Sequence, residues 1–331
     1  MAGESSMSTP TSVQARVEQF LAERRQLGFS TCNDGYVLRS FARHVHTAGH
    51  RGALTVELMA AWARNDRHES NDPRTWARRL KKLRTFLRWL QQFEPRTEVP
   101  DDSIFGRLPE RQAPHIFSEE EIVDLLARAR RLGPSPGLRG AVYETLFGLI
   151  AATGLRIGEA LSLRNGDIDL KDGILTVRRT KFGKSRQVPM HPSTVDALRR
   201  YCWQRDLAEG PPPEDAPFFV GTRGRRRGLA LGERHVERVF RDLRQQLGWG
   251  NRGAHFAPRI HDLRHTFVVR RIVQWQAQAV DIDQAMLSLS TYVGHTMVTN
   301  TYWYLSAVPE LMALAAGRFE SFTARKEVQD A

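Results

Sequence analysis

Side chains able to handle a phosphate are spread along this sequence from its middle onward. Arg156 stands in the small and apolar stretch TGLRIGEAL, His261 and Arg264 in HDLRH, and His295 in GHTMVTNTYWYL, which also holds Tyr302 and Tyr304. An arginine in apolar company is partly buried and needs an anion or a carboxylate to satisfy it. Glu159, three residues on, can be that partner. His261 and Arg264 are i,i+3 neighbours if the segment is helical, and an imidazole beside a guanidinium suits a phosphate or phosphodiester. A phenol near a histidine can act as a nucleophile. Each piece alone has a plainer reading: a structural Arg156–Glu159 pair, a surface histidine and arginine, an aromatic cluster that only packs. The two tyrosines lie ~200° apart on a helix, so only one can face a given pocket.

Other chemistries fit less well. Histidines at i and i+4 in HDLRH can hold zinc, but the metalloprotease pattern needs a glutamate after the first histidine, and here Asp262 follows it. GWGNRG satisfies a dinucleotide-binding search, yet the helical pattern HVERVFRDLRQQL precedes it where a strand is required. GKS at Gly183–Ser185 lacks the earlier glycine of a phosphate-binding loop. No metal ligand set and no cofactor site emerges.

These residues have to be positioned by some scaffold. At 331 residues the chain can form two domains with proper cores. A net charge of +12 points to a polyanionic partner, most simply nucleic acid. No run approaches the ~18 apolar residues of a membrane span. The polar start MAGESSMSTP is unlike a signal peptide, and Cys32 and Cys202 read as ordinary thiols of a reducing, cytoplasmic setting. The expected fold class is mainly α with a small β-sheet. Residues 1–11 read as a disordered tail and 12–94 as a helical domain. Its first helix carries Val13, Val17, Phe20 and Leu21 and stops at Gly28; Thr31 is expected to cap the second; Asp72 and Pro73 open the fourth. That fourth helix concentrates Arg78, Arg79, Lys81, Lys82, Arg84 and Arg88 with no acid among them, which suits a phosphate-facing surface. Four prolines mark 95–116 as a linker. The second domain, 117–331, opens with a capping box of Ser118 and Glu121. It continues through an apolar helix and short strands around a turn at Phe182–Gly183, and ends in an amphipathic helix starting near Pro309. The glycine-flanked loop GTRGRRRG, with Arg225 and Arg226, is a second candidate phosphate contact.

Taken together and in order, TGLRIGEAL, HDLRH, and VGH followed by a tyrosine resemble the signature boxes of the tyrosine recombinase (phage integrase) family. The hairpin TKFGKSRQVPM resembles its lysine-bearing β-turn, and 12–94 resembles its helical core-binding domain. The resemblance implies a site-specific DNA recombinase that cleaves a phosphodiester through a 3′-phosphotyrosyl link, without metal or ATP. It makes Arg156 and Arg264 a clamp on the non-bridging oxygens and gives His295 a hydrogen bond to the phosphate. His261 helps accept the phenol proton or holds an oxygen, and Glu159 supports the site from behind. The family places its lysine before the turn glycine, which favours Lys181 as the acid and leaves Lys184 to the DNA backbone. Its nucleophile follows the last histidine by nine residues, which is Tyr304. It also implies double-stranded DNA as partner, a tetramer assembled on that DNA, and a C-terminal helix lent to a neighbour. The stretch between HDLRH and VGH is somewhat longer than usual and rich in Gln and Arg. A type IB topoisomerase, a catalytically inactive DNA-binding regulator and a zinc hydrolase are the competing readings.

Overall fold

The computed structural model describes residues 12–29, 31–65, 71–106, 113–133, 137–178, 185–251, 257–278 and 280–307. The chain divides into two compact units, Met1–Arg111 and Gln112–Ala331.

The first unit is helical: α1 (Val13–Gln26), α2 (Cys32–Thr47), α3 (Val56–Arg64) and α4 (Pro73–Leu90). Local sequence sets most of its boundaries. Ser12 accepts from the Ala15 amide, and Gly28, at φ 80°, follows the end of α1 in a conformation that suits glycine. The Asp72 carboxylate accepts from the Arg74 amide, and Pro73 fills the first position of α4. The apolar stripes of α1, α2 and α4 close on one core, with Val17, Phe20, Phe41, Trp62, Leu83, Phe86 and Leu87 all buried. Thr31 does not cap α2; its hydroxyl accepts instead from Arg25 Nε at 3.2 Å.

The expected linker, 95–116, is partly built into this unit. Leu54 and Glu98 exchange a backbone hydrogen bond, and the Glu98 carboxylate accepts from the Val56 amide at 2.6 Å. Phe105 packs on Trp76 with ring centroids 5.4 Å apart. Prolines end a helix, but they do not stop the chain after it from packing. On the basic face of α4, Arg78, Lys81, Lys82 and Arg88 are exposed. Arg84 is tied to Asp102 at 2.9 Å, and Arg79 lies over the Trp62 ring at 4.3 Å while donating to the Asn65 carbonyl.

The second unit holds α5 (Glu119–Arg130), α6 (Leu138–Thr153), α7 (Ile157–Leu161), β1 (Ile168–Asp169), β2 (Ile174–Val177), β3 (Arg186–Pro189), α8 (Pro192–Glu209), α9 (Glu233–Gln246), α10 (Ile260–Ala277), α11 (Ile282–Val293) and α12 (Thr299–Ala307). The Ser118–Glu121 capping box starts α5. The apolar α6 runs through the middle of the core, burying Val142, Leu146, Phe147, Leu149 and Ile150. It ends at Gly154, whose φ of 64° suits glycine; a Cβ there would lie 2.6 Å from Phe267 Cδ1. The sheet is antiparallel in the order β1-β2-β3, with Val177 opposite Arg186 and Ile174 opposite Pro189. The turn joining β2 to β3, with Lys181 and Lys184, lies outside the described residues, as do the expected N-terminal tail and the helix from Pro309. A separate apolar cluster joins α10, α11 and α12 through Phe267, Val268, Ile272, Met286, Leu289, Val293 and Tyr304. In the arginine-rich loop Arg227 pairs with Glu209 on α8, while Arg225 and Arg226 are exposed. No helix among the described residues is long and apolar enough to cross a membrane.

Candidate active site

A helix of ordinary length leaves its last carbonyls without intrahelical donors. At the end of α11 three successive carbonyls, those of Tyr292, Val293 and Gly294, each receive a guanidinium from a different element. Arg186 Nε on β3 donates to Tyr292 at 2.8 Å, Arg264 on α10 to Val293 at 2.8 Å, and Arg156 at the start of α7 to Gly294 at 2.8 Å. Cations at a helix C-terminus also meet the negative end of its dipole.

Glu159 organises two of the three. Its carboxylate takes Arg156 Nη1 at 2.9 Å and accepts the Arg156 amide, and both oxygens are gripped by Arg186, at 3.1 and 2.8 Å. Burial drives the Glu159 pKa up. The hydrogen bond and charge of Arg186, then the amide and charge of Arg156, outweigh that and hold it at about 2. The carboxylate is therefore ionised throughout the physiological range. The expected Arg156–Glu159 pair exists, with Arg186 as a third member.

Arg264 is only 1% exposed and reaches the Gly154 carbonyl at 2.6 Å as well as Val293. Burial and then the nearby Arg156 lower its pKa to about 9, which still leaves a cation at neutral pH; Glu159 and the Tyr304 phenol act in the opposite sense. Two of its five N–H donors serve carbonyls in this way. His261 is exposed as a residue, yet loss of water around its ring and then the charges of Arg264, Arg259 and Arg156 lower its pKa to about 4 against the pull of Asp262. His261 is thus a neutral imidazole at physiological pH, a weaker base than an ordinary histidine. Asp262, the residue that follows His261 in the zinc-like pattern, lies in the first turn of α10: it accepts the amide of the N-cap residue Arg259 at 2.8 Å and pairs with the Arg259 side chain.

The two tyrosines separate by burial. Tyr302 is 36% exposed, whereas Tyr304 is 1% exposed. The Tyr304 hydroxyl and His265 Nδ1 are hydrogen-bonded at 2.5 Å, and the His265 ring packs edge-on to His261 at 4.6 Å. The His295 ring lies nearly parallel to Tyr304, 6.5 Å away, while its Nδ1 bonds the Thr301 hydroxyl at 2.7 Å. The structure therefore groups Arg156, Glu159, His261, Arg264, His295 and Tyr304 around the α11–α12 turn. It also shows residues that sequence reasoning passed over: Arg186, His265 and Thr301. For His265 a signal was present in the second histidine of HDLRH, one helical turn from the first. Arg186 has no acid near it in sequence, so nothing local marks its partner.

The sequence profile of the phage integrase family matches residues 115–309, most of the second unit. The chain belongs to the phage integrase family. It is similar to the putative integrase/recombinase y4rB of Sinorhizobium fredii, 37% identical over 307 residues that cover 92% of this chain and 96% of that protein. It is also 30% identical to the tyrosine recombinase XerC of Chromobacterium violaceum, over 77% of this chain and 76% of that one. Among solved structures, the Tn1549 transposon integrase in complex with transposon right end DNA shares the fold with a TM-score of 0.62. It is 16% identical, and the match covers 94% of this chain and all of that one. As a member of this family the chain is a tyrosine recombinase, a DNA-cleaving and rejoining enzyme with the expected mainly helical fold and small sheet.

Proposed function

We propose that this recombinase exchanges DNA strands through a covalent 3′-phosphotyrosyl bond at Tyr304, using its own side chains without metal or ATP. The observation that carries this reading is the convergence on the α11–α12 turn of Arg156, Arg264, His261, His295 and the buried Tyr304 phenol. Breaking a phosphodiester piles negative charge on the non-bridging oxygens, and Arg156 and Arg264 supply fixed positive charge there. The Tyr304 oxygen attacks phosphorus: an O–P bond forms, and the bond from phosphorus to the 5′-oxygen breaks. The phenol proton passes to an imidazole, either His265, which is hydrogen-bonded to the hydroxyl, or His261, packed against the His265 ring. The leaving 5′-oxygen takes a proton from Lys181, with Lys184 on the DNA backbone. His295 donates to the phosphate, and Glu159 keeps Arg156 in place. The tyrosyl ester conserves the bond energy, so a new 5′-hydroxyl can reseal the strand by the reverse reaction.

In this reading double-stranded DNA meets the exposed Arg78, Lys81 and Lys82 of α4, with Arg225 and Arg226 as further phosphate contacts. Arg79, already stacked on Trp62, adds charge from the edge of that face. Each chain has one Tyr304, and exchange between two duplexes cuts four strands, so the working unit is a tetramer on DNA. The task is the integration, excision or transposition of a mobile element, carried out in the cytoplasm of a bacterial host.

The test begins by capturing the DNA site. Intact protein is incubated with fragmented duplex DNA in EDTA, SDS-stable complexes are recovered, and the DNA 3′ ends are sequenced. The expected result is one recurrent sequence, joined by its 3′-phosphate to the peptide containing Tyr304. No adduct from active, DNA-binding protein would overturn the reading. Supercoil relaxation without strand transfer between two captured sites would replace it with a topoisomerase.

A further inference from the structure

Two of the three arginines at the end of α11 already have a place in the proposed chemistry. The third, Arg186, does not, and it is the most fully used of them. Its side chain is 12% exposed. Nη1 and Nη2 hold one Glu159 oxygen each, and Nε holds the Tyr292 carbonyl. A planar fork with a third donor at its base is a geometry that lysine lacks. The face of the guanidinium lies against Gly294: a Cβ at that position would sit 2.6 Å from Arg186 Nη1, and φ there is 70°. Gly294 is thus glycine for two reasons, and one of them is Arg186.

We propose that Arg186 is a positioning residue for strand cleavage: anchored on Glu159, it fixes the turn Tyr292–Gly294 and so sets where His295 stands against the phosphate. The route is short. Arg186 holds the carbonyl of Tyr292 and packs on Gly294, and His295 is the next residue, its ring steadied from the other side by Thr301. Without Arg186 the turn keeps the bonds from Arg264 and Arg156 and its own backbone bonds, Gly294 to Thr291 and His295 to Ser290, but loses the hold on the Tyr292 carbonyl and the packing on Gly294. Glu159 then retains only Arg156. This inference rests on His295 contacting the scissile phosphate.

The experiment is a double-mutant cycle on a nicked duplex carrying the captured site, reading the rate of adduct formation, with DNA affinity and melting temperature measured alongside. Arg186→Ala is expected to slow cleavage at least thirtyfold while DNA affinity stays within threefold. Arg186→Lys, which keeps the charge but carries its donors on a single nitrogen, is expected to fall between Arg186→Ala and the parent. The decisive variant combines Arg186→Ala with His295→Ala: it is expected to be no more than threefold slower than His295→Ala alone, because the two act through one position. Multiplicative losses, or an Arg186→Ala within threefold of the parent, would overturn the proposal. A His295→Ala as fast as the parent would remove His295 from the mechanism and this proposal with it. A slow His295→Ala with multiplicative losses overturns only the part given to Arg186. If Arg186→Ala fails to fold, Arg186→Lys runs the same cycle.

Discussion

Tyr304 has its hydroxyl occupied by His265, in a position shut off from solvent. Tyr304→Phe is expected to abolish the covalent adduct while DNA affinity is unchanged. It also removes the phenol partner of a buried imidazole nitrogen, a loss of about 1 kcal/mol in denaturant unfolding. Tyr302→Phe, at a half-exposed position two residues away, is expected to keep cleavage within a few fold; loss of the adduct there would reassign the nucleophile. Glu159 carries a pH signature of its own. Its folded pKa of about 2 lies below the usual 4.5, so the stability it adds is complete above pH ~4.5 and lost as pH falls toward 2. That shift corresponds to about 3 kcal/mol as an order of magnitude. Glu159→Gln is expected to flatten unfolding stability between pH 5 and pH 2.5 relative to the parent chain, and an unchanged acid limb would contradict the ion-pair account.

At the scale of elements, the site depends on how helix ends meet. Gly154 ends α6 with a positive φ and lets Phe267 of α10 close against it. Gly154→Ala is expected to cost about 2–4 kcal/mol, combining the left-handed backbone with a clash in a packed core. Urea unfolding would measure this, and a cost under 1 kcal/mol would mean that α10 can give way. Element existence was readable in the sequence because its signals are local: the Ser118 box, Asp72 with Pro73, the stripe of α4. The same reasoning missed what side-chain contacts between elements decide. Thr31 has the right residue type for a cap, yet Arg25 takes its hydroxyl. Glu98 and Phe105 sit among prolines, and still pack on α3 and α4. Of the site, Arg156, Glu159, His261, Arg264, His295 and Tyr304 were legible from residue type and from resemblance. Arg186 was not, because its partner Glu159 lies 27 residues away, a distance at which no spacing rule operates; His265 was visible as the second histidine of HDLRH, but its partner 39 residues on was not.

For the whole molecule, charge and stoichiometry set the behaviour. The net +12 is an excess of cations, and part of it is displayed on the exposed face of α4. Replacing Arg78, Lys81 and Lys82 by Gln is expected to reduce the slope of log affinity against log salt by about 2.7, one counterion term per lost phosphate contact. An unchanged slope would move DNA off that face. Mixing equal amounts of parent and Tyr304→Phe protein tests the assembly. If four protomers must each cut, random tetramers retain about one sixteenth of the exchange activity, whereas independent monomers would retain half.

The three carbonyls at the end of α11 also limit how this chain can change length. Arginines from β3, α7 and α10 each read a different residue of that turn, so inserting or deleting one residue there would shift every carbonyl to the wrong guanidinium at once. A surface loop absorbs such a change at little cost. Here one added residue would unseat three charge-assisted bonds, each worth about 1.5–3 kcal/mol. The register of Tyr292, Val293 and Gly294 is accordingly held by the arginines themselves, and natural length variation among relatives is expected to fall outside that turn, in the connection between α10 and α11.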